Sequence, residues 1–130
     1  MSRLDENLGS VSFDNLINQN TPEADVFTVP LRAGQGIVTR GTVLALSSGD
    51  NAMVILGTTV GTNETLTANC ILAQDVDTGE GTGDPVNALA YRTGHFNRNK
   101  LTVKAGHTLT KVDEENLRKG GILLDDAVTL

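Results

Sequence analysis

The side chains able to do acid–base, nucleophilic or metal chemistry are few here, and the sequence scatters them. Four carboxylates fall in the run Asp75-Val76-Asp77-Thr78-Gly79-Glu80-Gly81-Thr82-Gly83-Asp84. Their chemistry is oxygen ligation, because calcium takes several carboxylate and carbonyl oxygens from a flexible backbone. A calcium loop of the helix–loop–helix kind opening at Asp75 needs Gly at its sixth position and Glu at its twelfth, where Glu80 and Val86 stand. The run reads instead as a solvated hairpin loop whose glycines permit positive φ. Gly34-Gln35-Gly36 opens like a dinucleotide-binding loop, but Thr39 takes the place of the third Gly and no helix-forming run follows. It reads as a turn. Cys70 is the only cysteine, set in Asn69-Cys70-Ile71-Leu72, so an internal disulfide is excluded and the thiol reads as a small buried hydrophobe. His95 and His107 are the only histidines and have no ligand at local metal-site spacing. Sequence separation alone leaves a Cys70, His95 and Asp84 triad open, but nothing favours it, and both histidines read as turn or surface residues. No catalytic residue, metal or cofactor is expected.

Such a chain must be judged by what it can pack and what it can touch. With 130 residues and 38% hydrophobic content, it forms one small domain. Phe13, Phe27, Phe96 and Tyr91 are the only aromatics, so the core rests on Leu, Val, Ile and Ala. Small thin cores commonly gain stability by oligomerising. No run approaches the roughly 20 apolar residues of a membrane span, and the opening Met1-Ser2-Arg3-Leu4-Asp5-Glu6 lacks the apolar centre of a signal peptide. The expectation is a soluble protein folding in a reducing cytosol, with no membrane partner. A net charge of −6 argues against a nucleic-acid partner.

The charge is unevenly placed. Residues 41–91 hold six acids and no Lys or Arg, whereas residues 92–119 hold seven bases against three acids. These blocks are suited to attract one another within one chain or between subunits. Arg92, Arg98, Lys100 and Lys104 form a basic run with only Tyr91 and Phe96 as aromatic neighbours. That run reads as a subunit or partner contact before any nucleic-acid groove.

Residues 1–26 are rich in Ser, Asn, Asp and Glu and read as an extended N-terminal arm, with residues 27–130 as the single β-rich domain. Phe13, Leu16 and Ile17 fall at i, i+3, i+4, which puts three anchors on one side of a helical turn if a partner orders the arm. The alternative is that they pack on the chain's own domain. Strands are expected around Phe27 to Val29, Gly41 to Leu46, Ala52 to Leu56 and Thr65 to Ala73, running on to near Val76, with Val86 to Thr93 as an antiparallel partner across the acidic loop. Asp113 to Lys119 puts acids in its first turn and bases in its last, and Gly120-Gly121 supplies a left-handed stop. It is the one helix expected, set at the edge of the β core with Ile122 to Leu124 returning as a strand. Short strands and Gly-rich turns give a small barrel or sandwich.

Five pieces, taken in order, resemble the head decoration proteins of lambda-type tailed bacteriophages. They are Gly41 to Leu46, Ile71-Leu72-Ala73-Gln74-Asp75, the Tyr-x-x-Gly-x-Phe-Asn segment from Tyr91 to Asn97, a Leu-Thr-Val strand at Leu101 to Val103, and Leu117 to Ile122. The resemblance covers roughly residues 27–128. It implies a mostly β domain with one short helix, a small open barrel or sandwich of β-tulip type, that assembles in the host cytoplasm as a homotrimer. It further implies a place on the outside of the expanded phage head, at three-fold and quasi-three-fold positions, as a cement against internal DNA pressure, with the major capsid protein as partner and no small-molecule substrate. The N-terminal arm would dock on the capsid partly by adding a strand, and Val11, Phe13, Asp14, Leu16 and Ile17 are the arm residues chosen here for that contact. Arg92, Arg98, Lys100 and Lys104 are candidates for a subunit or capsid contact. A different phage surface module, such as a head-fibre base or receptor-binding domain, is the main alternative. A small β enzyme would need a pocket uniting a histidine with acids, and a ligand-binding barrel would need an apolar cavity.

Overall fold

The computed structural model describes residues 16–19 and 23–125. Among the described residues, nine strands and one helix appear in the order β1 (Ile17–Gln19), β2 (Asp25–Leu31), β3 (Ile37–Val38), β4 (Val43–Ser47), β5 (Met53–Ile55), β6 (Leu66–Leu72), β7 (Val76–Asp77), β8 (Val86–Asn97), α1 (Lys111–Gly120) and β9 (Ile122–Asp125). A single 3-10 turn, Arg98–Lys100, follows β8. The barrel runs β8-β2-β5-β4-β6 and closes where Ile71 and Leu72 of β6 pair with Tyr91 and Ala90 of β8. The mostly β class with one helix is therefore present as a five-strand barrel with an extension. In the extension, the far end of β8 carries β1 antiparallel on one side and β9 parallel on the other. A separate two-stranded ribbon pairs Ile37 with Asp77 and Val38 with Val76.

β8 is twelve residues long, four more than the alternating run Val86 to Thr93 suggested. Gly94 looked like a turn and is instead a strand residue. Its φ is 149°, and a Cβ there would lie 2.7 Å from the Phe96 ring. The glycine admits the aromatic into the core. Phe96 is fully buried, and its ring centroid stands 5.2 Å from that of Tyr91. His95 accordingly sits in β8 and not in a turn. The Leu101 to Val103 strand implied by the resemblance is reduced to one parallel bridge between Thr42 and Thr102.

Leu16, Ile17, Asp25 and Val26, all placed in the arm by composition, belong to the structure's paired body. Leu16 is 2% exposed in the core, its carbonyl accepting from Asn97 N at 2.8 Å, and Ile17 pairs with Phe96. Leu16 and Ile17 thus follow the alternative reading and pack on the chain's own domain, because the end of β8 offers Ile17 a strand partner. Burying Leu16 also removes more apolar surface from water than an exposed turn would. Val11, Phe13 and Asp14 lie outside the described residues.

The helix forms where local signals converge. The Thr110 side chain accepts from Asp113 N and the Asp113 side chain accepts from Thr110 N, a reciprocal cap, and Gly121 closes the other end at φ 109°. α1 offers the core one fully buried side chain, Leu117, while Val112 is 68% exposed. Replacing Leu117 by Ala should lower the unfolding free energy by about 2–5 kcal/mol. Val112→Ser should change it by less than about 0.5 kcal/mol. Urea unfolding followed by circular dichroism checks both values.

Candidate interaction surface

The groups that looked chemically able are dispersed. Cys70 lies on β6, fully buried, and burial pushes its thiol up to about 12. It hydrogen-bonds to neither histidine. His95 Nε2 stands 3.6 Å from Asp125 Oδ2, and His107 Nε2 stands 3.0 Å from Asp113 Oδ2. Asp113 is already engaged in the helix cap. Partial burial works against its charge, but the Thr110 backbone and His107 hydrogen bonds hold it below the usual carboxylate value.

In the acidic loop, Asp75 Oδ1 accepts from Arg40 N at 2.7 Å and Asp77 Oδ1 accepts from Gly79 N at 2.9 Å. Thr78, the buried residue that follows them, donates to Gly36 O at 2.7 Å and accepts from Gln35 N at 2.8 Å. These bonds tie the loop to the β3 turn. Among the described residues, no group of three or more His, Cys, Asp or Glu is placed to hold a metal. A groove of about 330 Å³ lies between α1 and β9, lined by His95, Arg98, Glu114, Glu115 and Leu123 among others. Within it Arg98 pairs with Glu114 at 3.0 Å and Arg118 with Glu115 at 2.6 Å.

The basic run divides in two. Arg92 binds Asp25 at 2.7 Å and lies 5.8 Å from the Phe27 ring centroid, and Arg98 is held by Glu114. Arg92 thereby fastens β8 to β2, and Arg98 fastens the 3-10 turn after β8 to α1. Lys100 and Lys104 are exposed and, among the described residues, take part in no ion pair. They are the cations of the run that remain available to a partner.

A cluster not foreseen from the sequence joins the strand ends at one pole of the barrel. Arg32 donates to both Asp50 oxygens, at 3.1 and 2.9 Å, to Ser47 Oγ at 3.0 Å, and to Glu64. Ser47 is fully buried and also hydrogen-bonds Glu64. The signal for it was present: between Arg3 and Arg92 the only cations are Arg32 and Arg40. The Arg32 hydrogen bonds lower the Asp50 pKa, the Ser47 hydroxyl and then Arg32 lower that of Glu64, and Arg32 itself is raised.

The body is thus a small β barrel with a buried thiol, arginines paired to acids and a divided charged exterior. The chain matches the family model of the bacteriophage lambda head decoration protein D over residues 9–122, and it belongs to that family. No curated protein matches it. Its role is that of a decoration protein of the phage capsid, a structural component of the virion.

Two outcomes test this picture of the body. Depressed carboxylates contribute stability above their ordinary values of 3.8 and 4.5, and that contribution is lost as pH falls through the lowered folded values. Unfolding free energy should therefore fall from about pH 5 to about pH 2, and Arg32→Met should flatten that fall. Cys70 should stay unreactive toward a thiol reagent at neutral pH until the protein unfolds, as monitored by absorbance in native and denaturing buffer.

Proposed function

We propose that the protein binds as a homotrimer to the outer surface of the expanded phage head, at three-fold and quasi-three-fold sites, and stabilises the shell against internal DNA pressure. The observation that carries this reading is the decoration-family match over residues 9–122. The arm is the chain that precedes Leu16, with Val11, Phe13 and Asp14 contacting the major capsid protein. Leu16 and Ile17 then serve as the base that fastens the arm to the body. Lys100 and Lys104 supply the subunit or capsid contact, and Arg92 and Arg98 hold β8 and the 3-10 turn that lead to them. The decoration domain follows the arm, and no catalytic step, cofactor, nucleic acid or membrane enters its work.

The geometry supports such a load path. Tension on the arm reaches Leu16, whose side chain is in the core and whose carbonyl is held by Asn97 N at 2.8 Å. Pulling the arm free therefore requires shearing β1 from β8 and extracting a buried leucine. An arm that orders on binding loses conformational entropy and holds weakly alone. Three arms on one trimer raise the effective concentration of the second and third contacts, so the assembly stays attached when any one arm lets go.

Deletion of residues 2–15 leaves every described residue in place. The shortened protein should keep its solution mass and thermal midpoint, lose at least about tenfold in affinity for expanded heads by loss of avidity, and no longer protect them from heat. Full-length protein should bind expanded heads and not unexpanded ones. Equal binding by both proteins would sink the arm mechanism, and failure of the full-length protein to bind any head would sink the trimeric cement reading.

A further inference from the structure

The β2–β8 ladder keeps one register from Val26 opposite Tyr91 to Leu31 opposite Val86. Pro30 has no N–H, so Pro30 and Asn87 cannot be a pair that exchanges hydrogen bonds. The bonded pairs are then Phe27 with Ala90, Val29 with Ala88 and Leu31 with Val86. Two bonds on the far sides of the ladder fix the same phase. Arg32 N donates to Met53 O at 2.9 Å, away from β8, and Leu89 O accepts from Ala73 N at 2.9 Å, away from β2. The N–H and C=O of Val26 and Thr28 consequently point outward from β2, on the side opposite β8.

Nothing described pairs with them there. β5 meets β2 only at Leu31 opposite Met53. Because the pairing is parallel, the rest of β5 runs past the end of β2, away from Val26 and Thr28, and there Gln35 Oε1 accepts from Ile55 N at 2.9 Å. Two exposed apolar side chains flank the open stretch, Val26 and Leu89, each 42% exposed. Leu89 faces Thr28 across the ladder, and Val26 is the next residue on the same face, so the two are diagonal neighbours on the outer wall. Carboxylates stand at both ends. Glu23 is exposed just before β2, and Glu80 and Asp84 lie in the loop that packs on Gly34, just past its end. Among the described residues none of these three acids has an ion-pair partner.

We propose that the β2 edge receives an extended segment of the shell protein as an added strand, bonded to the backbone of Val26 and Thr28. The segment carries an apolar side chain onto Val26 and Leu89 and Lys or Arg toward Glu23 and Asp84. The open edge gives the backbone bonds, and the side chains beside it give register and choice of partner. This site lies on the folded body and is separate from the arm, and it rests on the capsid-binding reading above.

Amide hydrogen exchange on the full-length protein, free and bound to expanded heads, tests it. In the free protein, Phe27 and Val29 amides should be protected while Val26 and Thr28 exchange quickly. On the heads, Val26 and Thr28 should slow at least about tenfold, as newly paired amides do. Val26→Lys, which sets a cation against the basic segment, and Thr28→Pro, which removes one outward donor at a position of the same phase as Pro30, should each weaken head binding at least about tenfold without changing solution mass. Head binding with Val26 and Thr28 still exchanging at the free rate would overturn the edge site alone, as would undiminished binding by both variants. Absence of binding by the unaltered protein would overturn the capsid-binding reading along with it.

Discussion

The fold depends on one strand. β8 pairs with β2 and β6 along its first part and with β1 and β9 along its last. It both closes the barrel and carries the extension. A one-residue slip in its register would move its side chains to the opposite face, so the constraint that matters most is the one that keeps a twelve-residue strand continuous through two environments. Gly94 meets it at the junction, where the core changes from the Ala88 and Ala90 side of the barrel to Phe96. Ala88 and Ala90 keep the barrel half of β8 narrow beside Tyr91, and the fully buried Phe96 fills the other half.

Local structure was legible in the sequence, and long-range pairing was not. Thr110, Asp113 and Gly121 specify α1 by contacts within one or two turns, and the turns after Leu31 and Ser47 fall where Gly and Asp cluster. The β3–β7 ribbon was not visible because each of its strands is two residues long and its register is set by Thr78 bonding across to Gly36 and Gln35. Leu16 was misleading for a related reason. It stands in a polar stretch whose composition says arm, and only the end of β8 makes it a core residue. The charged cluster at Arg32 was half visible. One of only two cations between Arg3 and Arg92 must find partners, but which acids it takes depends on two turns meeting.

The charges then sort into two kinds. Arg32, Arg92, Arg98 and Arg118 each meet an acid at 3.0 Å or less, so these arginines serve the body. Most are exposed enough that water and salt screen them, and their value is geometric more than energetic. The lysines at 100 and 104 and the carboxylates at 23, 80 and 84 have no such use within the described chain. A surface retaining unpaired charges of opposite sign in separate places sets the orientation of an encounter and discourages wrong ones. For a decoration protein, which meets its shell many times over, orientation at each site is the property that repeats.

An open strand edge is ordinarily a hazard, because any extended chain can pair with it. β2 limits that hazard by its own sequence. A register shift between Asp25 and Val26 interrupts the ladder at one end, and Pro30 withholds a donor at the other. Only two residues remain open between them. A second copy of the same edge would bring Glu23 and Asp84 against like charges and would find few backbone bonds to compensate. A segment bearing bases at the right spacing meets neither obstacle. The features that keep copies of this barrel from adding strands to one another are thus the same ones that would select the proposed partner, and the selectivity comes from what the edge refuses as much as from what it binds.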